Sequence, residues 1–200
     1  GEPYGSFFGA GFQRDSLGRV VVDENTGYPI TEPVARTHGS IQPDYLAGIN
    51  NVFSYKGFTL SALFDIKKGG VFYSRTRSLQ EFVGTDPRTL LNDREAFVVP
   101  NSVIQLPDGK YAENTTPVLD AQDYWTNFSA STAIEQIMDA SYVKLREVSL
   151  TYRLPADWIK KTPFTGITIG FAGRNLFLWT PSVNTYADPE TSSFGAGNIQ

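Results

Sequence analysis

The chain has 200 residues, a formal net charge of −4 and no cysteine, with 40% hydrophobic and 14% aromatic residues. The acidic balance leaves no basic footprint for nucleic acid. The missing thiols exclude disulfide frameworks, thiol catalysis and cysteine-ligated zinc.

No stretch approaches the ~18 consecutive apolar residues of a membrane-spanning helix. No charged start followed by an apolar run marks a secretory leader. Gly1-Glu2-Pro3 opens without Met, so an excerpt of something longer is expected. The 10 Tyr and 14 Phe suit strands and interfacial girdles better than helices. A mean hydropathy of −0.24 does not exclude a barrel, because lumen and loop residues dilute a lipid-facing half.

In chain order, 1–44 is loop-rich. Phe12-Gln13-Arg14-Asp15 and Arg19-Val20-Val21-Val22-Asp23 flank Ser16-Leu17-Gly18 and predict a small hairpin, and Thr26-Gly27-Tyr28-Pro29 predicts a turn. A first strand is predicted over 45–55, with Tyr45, Ala47, Ile49, Phe53 and Tyr55 on one face, interrupted by Asn51. Lys56-Gly57 makes a two-residue turn into a second strand over 58–66. There Phe58, Leu60, Ala62, Phe64 and Ile66 oppose Thr59, Ser61, Leu63, Asp65 and Lys67.

Residues 71–140 form a long excursion with structure of its own. Asp86-Pro87 predicts a helix start leading into 88–97, with Asp as N-cap and Pro in the first turn. Pro107-Asp108-Gly109-Lys110 predicts a hairpin turn between 102–106 and 111–113. A second helix is predicted over 132–139, capped by Ser131. Loops this long are uncommon in compact domains unless they are functional.

The third strand, 142–154, changes phase. Val143 and Leu145 are apolar at odd positions, Val148, Leu150, Tyr152 and Leu154 at even ones, so a bulge is predicted near Arg146-Glu147. The connection 155–165 carries Trp158, an expected interfacial anchor. In the fourth strand, 166–178, Ile167, Ile169, Phe171 and Phe177 oppose Thr168, Gly170, Ala172, Arg174 and Leu176, and Trp179 follows at a girdle position.

Each of these four strands is about the ~9–11 residues that a tilted strand needs to cross a bilayer. Tight turns at one end and a long loop at the other describe an outer-membrane wall. The expected fold is therefore all-β, an antiparallel transmembrane β-barrel segment of four wall strands, with long extracellular loops carrying short helices. The expected division is an extracellular loop at 1–44, a barrel hairpin at 45–68, a long extracellular loop at 69–141, a barrel hairpin at 142–178 and an extracellular loop at 179–200. Asp65, Lys67 and Arg174 are expected to face the lumen, because Lys or Arg on the lipid side near the midplane costs ~2–4 kcal/mol.

Chemistry in the usual sense is not expected. His38 is the only histidine and has no Cys to join it, so a loop role outweighs a metal or triad. Glu113, Asp120 and Asp123 lack a spacing that specifies a glycosidase pair or calcium site, and read as solvated loop charges. Lys67-Lys68-Gly69-Gly70 lacks the phosphate-loop frame. No catalytic residue, cofactor or metal is expected. Tyr111, Tyr124, Trp125 and Phe128 are candidates to touch a ligand or a lid protein, against the alternative that they form the loop's own small core.

Several segments together resemble the C-terminal part of SusC/RagA-type TonB-linked outer-membrane transporters. They are Gly39-Ser40-Ile41-Gln42-Pro43-Asp44-Tyr45, Tyr55-Lys56-Gly57-Phe58-Thr59-Leu60-Ser61 and Phe64-Asp65-Ile66-Lys67-Lys68-Gly69-Gly70. They continue with the Ala140-Ser141-Tyr142 run through Tyr152, Gly173-Arg174-Asn175-Leu176-Phe177 and Asp188-Pro189-Glu190. In this order they cover nearly the whole chain.

The resemblance implies a location in the bacterial outer membrane and a 22-stranded parent barrel with an N-terminal plug. It implies partnership with a SusD-like surface lipoprotein and import of oligosaccharides or oligopeptides driven through TonB. The plug, the TonB box and a closing strand are absent from the sequence. The alternatives from residues alone are a soluble β-sandwich carbohydrate-binding module and a glycan hydrolase fragment.

Overall fold

The computed structural model describes residues 4–190, so expectations for 191–200 lie outside the described residues. The chain divides into two compact units. Among the described residues one comprises 42–70 and 139–189, and the other is built from 4–41 and 71–138. Strands dominate, and among the described residues no helix is long and apolar enough to cross a membrane.

The first unit is a four-stranded antiparallel sheet. Its strands are Tyr45–Tyr55, Phe58–Lys68, Tyr142–Arg153 and Thr168–Trp179, hydrogen-bonded in spatial order first, second, third, fourth. Each lies within two residues of the predicted span. Alternation and the Lys56-Gly57 turn fix the first hairpin. Both turn residues have positive φ, +45° and +85°, the primed geometry that matches strand twist. A Cβ on Gly57 would come within 2.9 Å of the Arg153 carbonyl, and the Arg153 N–H donates to Gly57 O at 2.8 Å. That turn is therefore held against the end of the third strand.

The predicted bulge is present and larger than expected. Between two shared pairings the second strand advances one residue, Leu63 to Phe64, and the third advances two, Glu147 to Leu145. The fourth advances three, Arg174 to Phe177, with Asn175 at φ +51°. The extra residues bring the apolar halves of the third strand back onto one face. Val143, Leu145, Val148, Leu150 and Tyr152 stand opposite Ile66, Phe64, Ala62, Leu60 and Phe58.

The second unit holds most of the buried apolar core. Val22, Phe97, Val99, Val118, Ala121 and Tyr124 form one cluster. Val20–Val22 runs parallel to Ser102–Gln105, which pairs antiparallel with Tyr111–Glu113 across a turn with Gly109 at φ +81°. The small hairpin at Ser16-Leu17-Gly18 and the turn at Thr26-Gly27 form as predicted, with the Asp15 and Asp23 carboxylates accepting backbone N–H groups.

The helices of this unit differ from expectation. Asp86 caps as predicted, accepting from the Arg88 N–H, and Pro87 lies in the first turn. The segment is nevertheless a 3-10 helix over Pro87–Arg94, interrupted at Leu91, Asn92 and Asp93. Left-handed Asn92, Asp93 and Arg94 stop it before Phe97, which pairs with Val118. The second predicted helix shrinks to a 3-10 turn over Ala133–Gln136, because Ile137–Asp139 is a strand paired with Val71–Tyr73. Thr132 stands at its N-cap, and Ser131 donates to the Thr126 carbonyl. Arg75–Phe82 is a helix capped by Ser74, and Ala121–Ser129 is helical through an α-turn and a π-turn.

Candidate functional site

In the sheet unit, the register places Tyr45, Ala47, Ile49, Phe53 and Tyr55 on the same face as Phe58, Leu60, Ala62, Phe64 and Ile66. The third strand adds its five apolar residues and the fourth adds Ile169, Phe171, Phe177 and Trp179. This face is not covered. Phe53 is 65% exposed, Phe171 78% and Phe177 59%. A contiguous exposed apolar face marks a contact with protein or lipid.

The opposite face holds the polar side chains, hydrogen-bonded across strands, interspersed with Leu46, Val52, Leu63 and Leu178. Ser54 meets Thr59 at 3.1 Å and Ser61 donates to Asn50 at 3.2 Å. Asp65, expected to face a lumen, accepts from Arg146 at 2.6 Å and from the Tyr142 hydroxyl at 3.3 Å. Arg174 donates to Glu147, its register partner beside the bulge, at 2.9 Å. Lys67 sits on this face opposite Tyr142.

One pair was not foreseen. Lys144 is buried and donates to Asp188 at 2.6 Å, fastening the segment after the last strand to the polar face. Both residues lie in recognisable motifs, but nothing in one-dimensional spacing joins positions so far apart.

In the other unit, three of the four candidate aromatics share one neighbourhood. Tyr124 packs edge-on against Phe97 at 5.1 Å and against Trp125 at 5.0 Å, while Phe128 lies 4.4 Å from Tyr28. Tyr124 is only 8% exposed, within the core cluster. Burial, with the Glu81 and Glu135 charges adding, pushes its phenol up to about 12. Tyr28 is raised to about 12 as well, by burial first and then by Asp123. Tyr111 stands apart, on the exposed hairpin.

Trp125 is partly buried and borders two hollows. One, of about 360 Å³, is also lined by Phe82, Val83, Thr89, Arg94 and Gln122. The other, of about 460 Å³, is lined by Pro87, Arg88, Leu90, Leu91 and Pro100. The Arg88 guanidinium lies 6.0 Å from the Trp125 ring, within cation–π range.

Beneath them Glu81 is fully buried. It accepts from Arg77 at 3.1 Å, Ser129 at 2.8 Å and Gln136 at 2.7 Å, and from Arg88. This carboxylate joins four separate segments of the excursion, a role sequence reasoning missed because the helix carrying it has no apolar stripe.

The remaining candidates are structural. The His38 ring nitrogen lies 3.0 Å from the Gly9 carbonyl and 3.6 Å from a Glu32 carboxylate oxygen. Asp120 accepts from the Asp123 N–H as an N-cap, and Asp123 accepts from Asn127. Among the described residues no group of three His, Cys, Asp or Glu is placed to hold a metal.

Comparison with known proteins gives sequence relatives and fold neighbours. The chain is 28% identical over 180 residues to TonB-dependent receptor P26 of Formosa agariphila, covering 88% of the chain. It is 24% identical over 178 residues to TonB-dependent receptor P3 of the same organism. The chain spans 16% of the length of each of these relatives. Its fold matches a chain of the RagAB peptide importer in an open-open state, with a TM-score of 0.60 and 20% identity, over 98% of this chain and 20% of that one. A closed-closed state of the same importer matches with a TM-score of 0.57 and 20% identity, over 88% and 19%. No family model matches. Sequence relatives and fold neighbours agree with the resemblance carried by the motifs.

Proposed function

We infer that the chain is a fragment of a SusC/RagA-type TonB-dependent transporter, and propose that it supplies the C-terminal part of the barrel wall and the adjoining extracellular loops. The observation that carries this reading is the two-faced sheet. One face is apolar and uncovered from Phe53 to Phe177, and the other is laced with Ser, Thr and ion pairs. A bilayer on one side and water on the other satisfy both faces at once. A soluble sandwich would need the apolar face covered, and the exposures speak against that.

On this reading 45–68 and 142–178 are barrel hairpins, and 1–44, 69–141 and 179–200 are extracellular. Asp65, Lys67 and Arg174 face the lumen. The parent imports oligosaccharides or oligopeptides under a SusD-like lipoprotein lid, with TonB engaged by a part of the protein outside this chain. Trp125, Phe128 and Tyr111 present partly exposed rings for cargo or lid, while Tyr124 supports them from the core. The chain does no enzymatic chemistry in this account.

The test is made in the full-length transporter. Protease added to intact cells should cut within 71–138 and leave Lys56-Gly57 untouched, since the turn would face the periplasm. Cells carrying a transporter with 83–129 removed should lose growth on the oligosaccharide or oligopeptide that the intact protein supports. Cutting at Lys56 with the long loop spared, or unchanged growth on every cargo, would overturn the assignment.

A further inference from the structure

The arginines of the loop unit differ in what they meet. Arg14 pairs with Glu135, Arg19 with Asp15, Arg36 with Glu32, Arg77 with Glu81, and Arg88 with both Glu81 and Asp86. Arg94 makes no ion pair among the described residues and donates once, to the Gly84 carbonyl at 2.8 Å. Its sequence neighbours Asp93 and Glu95 are exposed and form no ion pair with it. The backbone is bent to bring Arg94 here. Asn92, Asp93 and Arg94 follow one another in the left-handed region, at φ +48°, +53° and +68°. The turn is closed by the Asn92 amide on the Ala96 carbonyl at 2.6 Å and the Glu95 N–H on the Asn92 carbonyl at 2.9 Å. For arginine this conformation is strained, and such strain collects at ligand clamps.

Arg94 borders the hollow of about 360 Å³ beside Trp125. The rest of the lining is of two kinds. Phe82, Val83, Gly84, Ala121 and Trp125 give apolar surface, with Phe82 and Val83 more than half exposed. Glu81, Thr89, Gln122 and Thr126 are polar. Three of these four are already engaged. Glu81 is held by Arg77, Arg88, Ser129 and Gln136. The Thr89 hydroxyl donates to the Asp86 carbonyl at 2.7 Å, and the Thr126 hydroxyl donates to the Gln122 carbonyl at 2.9 Å. What remains for a visiting group is the Arg94 guanidinium and the Gln122 side-chain amide, next to apolar surface.

Resting on the cargo reading above, we propose that this hollow is a seat for a carboxylate group of the cargo, with Arg94 as its anchor. A guanidinium offers a carboxylate parallel N–H groups at fixed spacing, and Arg94 keeps such groups while one N–H stays with Gly84. The Gln122 amide is a further donor to the same group. Glu81 does not turn the carboxylate away, because Arg77 and Arg88 already hold its charge. The apolar part of the cargo next to the carboxylate lies on Phe82, Val83 and the Trp125 ring. A neutral group brings no counter-charge to Arg94 and gains only the weaker hydrogen bonds. Two sources carry the required group, the C-terminus of an oligopeptide and a uronic acid unit of an oligosaccharide.

The test is calorimetric titration of the full-length transporter with two matched pairs of probes. One pair is acetylated trialanyl-leucine with a free carboxylate and as its amide, and the other is trigalacturonic acid and its methyl ester. At least one pair should show the acid form binding about tenfold more tightly than the neutral form, the scale of a charge-assisted hydrogen bond. A preference in one pair names the source, and a preference in both assigns the seat to the carboxylate itself. Arg94→Gln should bring acid and neutral forms to parity. Arg75→Gln should leave the preference intact, since Arg75 also lacks an ion pair among the described residues but lies outside the hollow. Equal titrations of acid and neutral forms in both pairs, absence of binding included, would overturn the seat without any variant having to fold. A preference that survives Arg94→Gln, or that Arg75→Gln removes as well, would also overturn it, because the attraction would then be general. The cargo reading is judged separately, by growth of cells whose transporter lacks 83–129.

Discussion

The two units of this chain obey opposite rules. The unit built from 1–41 and 71–138 hides Val21, Val22, Phe72, Phe97, Val103 and Val118 from solvent, while large apolar side chains such as Phe8, Leu17 and Leu119 stay exposed around that core. The sheet of 42–70 and 139–189 does the reverse with its largest side chains, leaving Phe53, Tyr55, Phe171, Phe177 and Trp179 bare. Its polar side chains find one another instead. On the proposed reading the difference is one of solvent. A water-soluble unit lowers its free energy by burying apolar surface, whereas a strand in hydrocarbon needs only backbone pairing and a polar face turned away from lipid. Averaged over both, the hydropathy is unremarkable and conceals the division.

Removing a buried group should hurt the loop unit most. Phe97→Ala empties the centre of the core cluster and is expected to cost about 3–5 kcal/mol. Glu81→Ala is expected to cost about as much, ~3–5 kcal/mol, because Arg77, Arg88, Ser129 and Gln136 lose a shared acceptor. Limited proteolysis of the solubilised transporter reads both, as new cleavage within 71–138 without loss of the sheet. Cleavage unchanged in both variants would mean that this unit is not held by its own core.

In the sheet the sign of a substitution should depend on the face. Val148→Arg, in the middle row, is expected to cost about 2–4 kcal/mol in lipid vesicles, against under ~1 kcal/mol for the neighbouring Ser149→Arg. Denaturant unfolding from vesicles measures the contrast, and equal losses would erase the distinction between faces. Gly57→Ala should cost less, about 1–2 kcal/mol, since alanine at φ +85° is strained and its Cβ meets the Arg153 carbonyl. Refolding yield into vesicles reads that effect.

The smallest expected effect is a pH response confined to the loop unit. Backbone N–H donation from Asn25, with the Thr26 hydroxyl and N–H, holds the Asp23 carboxyl below the usual carboxylate range. A pKa lowered by folding stabilises the turn above the unfolded value, and that contribution disappears as pH falls through the folded value. Amide exchange at Asn25 and Thr26 should therefore quicken in acid, with Val148 and Leu150 unaffected. Exchange at the turn that ignores pH would contradict the hydrogen-bonded carboxylate.

The sheet was largely legible because its information is local. Period-two alternation, Lys56-Gly57 and the phase change at Arg146-Glu147 each lie within a dozen residues. The extra residues of the fourth strand around Asn175 were not, since their phase is even and leaves the alternation undisturbed. The loop unit was legible at its turns, where Asp, Gly and Pro act on immediate neighbours. It was opaque where distant pairing decides. Val20–Val22 beside Ser102–Gln105 and Ile137–Asp139 beside Val71–Tyr73 are such cases, and the second overrode a helical reading of 132–139. The helix Arg75–Phe82 buries Thr76, Ser78 and Glu81, so no apolar periodicity announced it. Of the candidate aromatics, sequence named the neighbourhood, and packing distinguished the buried Tyr124 from the half-open Trp125 and Phe128.

The most direct test places a nitroxide at each position from Val143 to Tyr152 in the full-length protein in vesicles, and compares collision with oxygen against collision with a water-soluble nickel chelate. The account predicts oxygen dominance at Val143, Leu145, Val148, Leu150 and Tyr152 and nickel dominance at Lys144, Ser149 and Thr151, with the alternation slipping one residue at Arg146. Nickel access that is uniform along the strand, or exclusion of both probes from the Val148 and Leu150 side, would contradict it.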